Sequence, residues 1–176
     1  MALLSFGLSF SCSIWLQMAL SSMGWLGHIF YRPPLTYAIL NKFKTALMEP
    51  FLRQAVEVAR TSPSRKRVGA VLFNSKGRVI TSATNNDFKS HPMQARWAER
   101  VGLREKIFLH AEMACLIKAR EDGDKIVVVR LGGHDGESLR NARPCPICEP
   151  ALRYAGIKHV YYSVWDNKFQ YEYWGN

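Results

Sequence analysis

Two short motifs, His110-Ala111-Glu112 and Pro144-Cys145-Pro146-Ile147-Cys148, restrict what this 176-residue chain can fold into. Either one alone is weak. A Cys-x-x-Cys serves redox pairs and structural zinc sites alike, and an isolated histidine is commonplace. Together they offer one imidazole and two thiolates, and three protein ligands leave a fourth tetrahedral position for water, the pattern of catalytic zinc. No further Cys or His stands at motif spacing to close such a site. Both motifs fall at predicted helix starts, where the positive end of a helix favours a thiolate and a metal lowers its pKa further. A fold that uses both must bring those two helix starts together. Glu112, two residues beyond His110, can then take a proton from water held at such a site and pass it on to a substrate. Cys115 is on the same predicted helix but faces about 140° away from His110, at roughly 100° per residue, and is assigned to the core.

The rest of the pattern alternates helices and strands, which points to an α/β fold. Residues 49–60 carry a helical stripe of Phe51, Leu52, Ala55, Val56 and Ala59, opened by Glu49-Pro50. Residues 68–73 and 79–83 read as a hairpin around Asn74-Ser75-Lys76-Gly77. A long connection follows over 84–109, with one short helix near 94–101; connections of this length are often functional. A helix is predicted over 110–120, a strand buried on both faces over 125–131, and a helix from Pro144 to Tyr154 that stops at Gly156. Residues 158–163 form the next strand, and the aromatic tail adds a final strand or helix against the sheet.

Composition adds two constraints. The chain has 24 Lys+Arg against 14 Asp+Glu, a net +10, which favours phosphate-bearing partners: nucleotides, nucleic acid or anionic membrane. Its four cysteines (Cys12, Cys115, Cys145 and Cys148) are too few and too uneven for a disulfide scaffold, and collagen, coiled-coil and repeat architectures are excluded. Residues 1–31 contain no Asp, Glu, Lys or Arg, and the first acid is Glu49. That segment is long enough for one membrane span, yet diluted by serines and without the basic start of an export signal. Three readings stand: a membrane anchor, an exported leader, or a lead-in upstream of a true start at Met48. The domain boundary is accordingly drawn between 1–47 and 48–176.

The His-Ala-Glu and Pro-Cys-x-x-Cys pattern resembles the zinc-dependent cytidine/deoxycytidylate deaminase superfamily. The likeness covers roughly residues 48–163 and includes Val68-Gly69-Ala70-Val71. The His ligand, Pro-Cys-Pro-x-Cys, Ala155-Gly156-Ile157-Lys158 and Val160-Tyr161-Tyr162 look most like the dCMP deaminase branch, including its small phage-type members. The resemblance implies a three-layer α/β/α fold with a central mixed five-stranded sheet. It implies one zinc on His110, Cys145 and Cys148, with Glu112 as proton shuttle. An Asn after the second strand contacts the sugar in this family; Asn86 is the first choice and Asn85 the other. Ala111 is added as a substrate contact, and Lys89 and His91 as residues at the pocket mouth that can meet a phosphate. The expected reaction is hydrolytic deamination of a cytosine nucleotide, dCMP to dUMP with release of ammonia, in the reducing cytoplasm. Deamination of tRNA adenosine or of cytosine in single-stranded DNA are the alternatives. Taking Arg32, Lys42 and Lys44 from the net +10 leaves +7 from Met48 onward, which suits a nucleic acid as well as a nucleotide. A non-enzymatic, membrane-attached or binding protein on the same scaffold is the remaining reading. The resemblance also implies a homo-oligomer, since many relatives assemble as dimers to hexamers.

Overall fold

The computed structural model describes residues 48–175. The readings of residues 1–47 as anchor, leader or lead-in lie outside the described residues. Helix α1 (Glu49–Arg60) begins with Glu49 and Pro50 in its first turn, and the Met48 carbonyl accepts from the Phe51 and Leu52 amides. Its buried face, Leu52, Ala55 and Ala59, lies directly on strand β1 (Arg67–Phe73). The approach is so close that Gly69 is required: a Cβ there would stand 2.7 Å from the Ala55 carbonyl oxygen and closer still to the Ala59 nitrogen. β1 turns back into β2 (Val79–Thr84) as the hairpin signal predicts.

The long connection holds more than its one predicted helix. β3 (Asn86–Ser90) and β4 (Phe108–Leu109) pair antiparallel as a separate two-stranded ribbon. Between them α2 (Pro92–Arg100) starts two residues ahead of the prediction, because the His91 ring nitrogen Nδ1 accepts from the Met93 amide and caps it. The ribbon is illegible in sequence for a physical reason. Asn-Asp-Phe-Lys-Ser has no apolar alternation, and most of the ribbon faces solvent, Phe88 and Phe108 included.

After the ribbon come α3 (Ala111–Lys118), β5 (Lys125–Gly132), β6 (Ser138–Arg140), α4 (Cys148–Tyr154), β7 (His159–Val164) and β8 (Lys168–Tyr173). The main sheet runs β2-β1-β5-β7-β8, with β6 lying along the far end of β5 as a sixth strand. β5 and β7 are parallel and every other pair is antiparallel, so the sheet is mixed, as expected. The aromatic tail resolves as a strand: Asp166 and Asn167 adopt the left-handed conformation that such residues tolerate and reverse the chain.

Alternation along β5 builds the three layers. Val127, Val129 and Leu131 pack with α1 on one face, joined by Phe73, Tyr161 and Tyr171. Ile126 and Val128 pack with Ala111, Ala114 and Cys115 of α3 and Leu152 of α4 on the other. Met113, Ile147, Ala151 and Ala98 then tie α2, α3 and α4 to one another. One boundary needs correcting. α4 starts at Cys148, and residues 144–147 are not helical. Pro146 explains this, since a proline disfavours helical backbone in the residue before it, here Cys145. The helix end is as predicted: Gly156 takes φ +78, where any side chain would be strained. Among the described residues, no helix is long and apolar enough to cross a membrane.

Candidate metal centre and active site

His110 occupies the N-cap of α3 in extended conformation, and its carbonyl accepts from the Ala114 amide. The local chain is pinned by Gln94, a fully buried residue of α2. Its Oε1 accepts from the His110 amide at 3.4 Å, and its Nε2 donates to the Lys106 carbonyl at 3.4 Å. Opposite, the turn before α4 carries Cys145, and the first helical residue is Cys148. Each Sγ lies 3.4 Å from His110 Nδ1, and all three donor atoms fall within 4.8 Å of one another. Zinc bonds of about 2.3 Å to sulfur and about 2.0 Å to nitrogen, set at a tetrahedral angle, separate N and S by about 3.5 Å. The donors are therefore spaced for one such ion.

Glu112 lies one helical residue past Ala111, buried at the base of the same cavity. Loss of solvent raises its carboxyl above the usual range, with the neighbouring His110 working in the opposite direction. The imidazole of His110 is itself raised, first by its hydrogen bond with Cys145, against the cost of burial. The two thiols are inequivalent. Cys145 is lowered to about 4, chiefly by a hydrogen bond from Cys148, while that same bond and burial hold Cys148 well above its ordinary value. Cys115 is core, as its helical angle predicts: its thiol donates to the Ala70 carbonyl, and burial pushes it up to about 12.

The cavity above these groups has a volume of about 400 Å³. Ala111, Val68, Val128 and Ala142 contribute apolar surface, and Lys66, Lys106, Arg130 and Arg143 bring cationic groups to its walls. A larger depression of about 620 Å³ among α2, α3 and α4 shares no lining residue with it and holds none of the candidate catalytic groups.

The structure distributes the sequence candidates unevenly. Asn85, the second choice, lines the cavity; Asn86, the first choice, does not, and its Oδ1 instead accepts from the Phe88 amide. Asn85 is itself heavily engaged: Oδ1 accepts from the Val68 amide (2.9 Å) and the Ser62 hydroxyl (2.7 Å), and Nδ2 donates to the Lys66 carbonyl (2.8 Å). It braces the two loops that form this wall. Lys89 is exposed on the ribbon and His91 caps α2, and neither lines the cavity. The basic residue of this region that does line the cavity is Lys66, in the loop before β1.

Arg130, Arg143, Lys106 and Gln94 were not singled out from the sequence. Arg130 sits within Ile-Val-Val-Val-Arg-Leu, a run whose only sequence message is burial on both faces, and a cation interrupting such a run was the available signal. Its Nε is buried without a hydrogen-bond partner, and among the described residues its guanidinium forms no ion pair.

The family described as the cytidine and deoxycytidylate deaminase zinc-binding region matches residues 46–164. Solved structures similar to the chain include the dCMP deaminase from cyanophage S-TIM5, in apo form and in complex with dCMP and dUMP. Each is 22% identical with a TM-score of 0.45, and the alignments cover 66% of this chain and 82% and 80% of the respective phage chains. No curated protein matches the sequence. The family match spans most of the chain, and its donor set converges on one point here; the chain belongs to the cytidine and deoxycytidylate deaminase zinc-binding family and takes one zinc at His110, Cys145 and Cys148.

Proposed function

We propose that this protein is a zinc-dependent deaminase of a cytosine nucleotide, converting dCMP to dUMP with release of ammonia. The observation that carries the nucleotide reading is Arg130: among the described residues its guanidinium has no partner, and it is on the wall of the cavity lined by Glu112, His110 and Cys145. A buried donor left unpaired is costly, and a phosphate oxygen would satisfy it with a charge-assisted bond. Bound zinc supplies the Lewis acidity that makes water a nucleophile near neutral pH. The chain's own residues do the rest. Glu112, buried in the wall of the cavity beside His110, accepts a proton from the attacking water and delivers it to the ring nitrogen N3. It then transfers the second proton to the exocyclic amine. The C4–O bond forms, the C4–N bond breaks, and the amine leaves as ammonia.

Residues 48–176 constitute the catalytic domain in this reading, with 1–47 outside it. The thiolate ligands and the nucleotide substrate both suit a reducing cytoplasm. A polynucleotide substrate is the second reading, favoured by the exposed rings of Phe88 and Phe108 on a ribbon that also carries Lys89. Steady-state assays of purified protein on dCMP, CMP, deoxycytidine, cytosine, tRNA and single-stranded DNA separate the two. The expected result is turnover of dCMP far above deoxycytidine, with weaker binding as salt rises. Equal rates on nucleoside and nucleotide would remove the phosphate contact, and faster turnover of a polynucleotide would replace the leading reading with the second.

A further inference from the structure

The stretch between β6 and α4 that carries Cys145 has little regular structure of its own, yet it must hold a metal ligand in place. Arg143, two residues before Cys145, spans it. One guanidinium nitrogen, Nη1, donates to Glu149 Oε2 at 2.9 Å, and Glu149 is the residue immediately after Cys148. Nε and Nη2 donate as a fork to Glu172 on β8, at 2.8 and 3.1 Å. The ligand turn is thus closed across its own base and fastened to the sheet.

The far end of the fastening is also built. Glu172 accepts from the Trp174 indole at 2.8 Å, and the Tyr162 hydroxyl lies 2.7 Å from its Oε1. Arg153 donates to Glu149 and stacks over the Trp174 ring at 4.6 Å, completing a circuit through α4, β7 and β8. Arg143 reaches the cavity wall, but its fork is filled by carboxylates, unlike that of Arg130. Glu172 lies beyond residues 46–164, the span that the family describes.

We propose that Glu172 is a positioning residue for the zinc-ligand turn, acting through the Arg143 fork. The proposal rests on the zinc site described above. Partners bonded directly to metal ligands fix their orientation, and loss of one typically weakens metal binding by about 10- to 100-fold. Glu172 acts one step further out, through the backbone of the turn that Arg143 braces, so its effect is at the lower end of that range.

The test is zinc affinity, measured by competition with a chromogenic chelator on the full chain. Glu172→Gln keeps the size of the side chain and removes the charge that the fork grips. Its zinc Kd should rise measurably, by up to about 10-fold. Arg143→Lys keeps the positive charge without the fork and should weaken zinc as well, which covers the case of a poorly folding Glu172 variant. Phe169→Ala is the control: Phe169 is on β8 but packs on the α1 side of the sheet, away from the circuit. It should lower the melting temperature and leave the zinc Kd unchanged. A wild-type zinc Kd in Glu172→Gln, or equal weakening in Phe169→Ala, overturns the proposal while leaving the zinc site intact. Absence of zinc binding by the wild-type protein overturns both.

Discussion

Replacing Arg130 by Met should make the protein more stable and a worse enzyme. Among the described residues the Nε of Arg130 is buried without a partner, and an unsatisfied buried donor costs about 1–3 kcal/mol. Methionine retains much of the aliphatic stem beside Val68, the residue opposite on β1, while removing the orphaned donor. After allowing for lost packing, the expected gain is about 1 kcal/mol, or about 3–5 °C in melting temperature for a domain of this size. The same substitution removes the cation proposed to hold the substrate phosphate. Hydrogen bonds to charged groups contribute about 1.5–3 kcal/mol, so kcat/KM for dCMP should fall by about 10- to 150-fold. Deoxycytidine, without the phosphate, should lose almost nothing. Thermal unfolding of the zinc-loaded protein and paired kinetics on the two substrates read both effects from one preparation. A variant that melts lower than wild type and keeps its preference for dCMP would refute the reasoning, because Arg130 would then be a structural residue.

Three further outcomes follow from the same geometry. Glu112→Gln preserves shape and removes the proton carrier, so bound zinc should persist by elemental analysis while kcat falls about 100-fold or more. Gly69→Ala forces a methyl into the backbone of α1 and should destabilise the fold by about 1–3 kcal/mol in denaturant titration, with the metal site untouched at its far side of the sheet. Burial alone would raise the Glu172 carboxyl, but bonds from Arg143, Tyr162 and Trp174 outweigh it and hold it at about 2. A depressed folded-state pKa contributes stability that is present above the ordinary value of 4.5 and lost as pH falls towards 2. The stability gap between wild type and Glu172→Gln should therefore be widest above about pH 4.5 and close on acidification, as followed by chemical unfolding at each pH.

Arg130 and Arg143 show why side-chain type does not define role. Both are arginines on the wall of one cavity, thirteen positions apart in the sequence. Arg143 meets two carboxylates, one from the next helix and one from the last strand, and its donors are committed to holding a ligand turn. Arg130 is near the end of a hydrophobic strand, and among the described residues it pairs with none of the acids that line the same cavity, so its charge faces whatever enters there.

The sequence by itself determined the metal chemistry and the layered fold. Ligand identity is a property of residue type, and His110, Cys145 and Cys148 are the donors that zinc selects, with Glu112 at fixed helical offset from the first of them. The alternation and helical stripes of 49–60, 68–83 and 125–131 are local periodicities, and they placed α1, β1, β2 and β5 to within a residue or two. What only the tertiary structure decided depends on groups distant along the chain. Asn85 rather than Asn86 lines the cavity because a shift of one residue reverses a side chain, and the wall it joins is set by Ser62 and Val68. Gln94 meets His110 and Glu172 meets Arg143 through pairings across 16 and 29 positions, and among the described residues the Arg130 guanidinium is left unpaired. Such contacts leave no periodic trace, because each is made by a single side chain whose partner is chosen by the packing of helices and strands against the sheet.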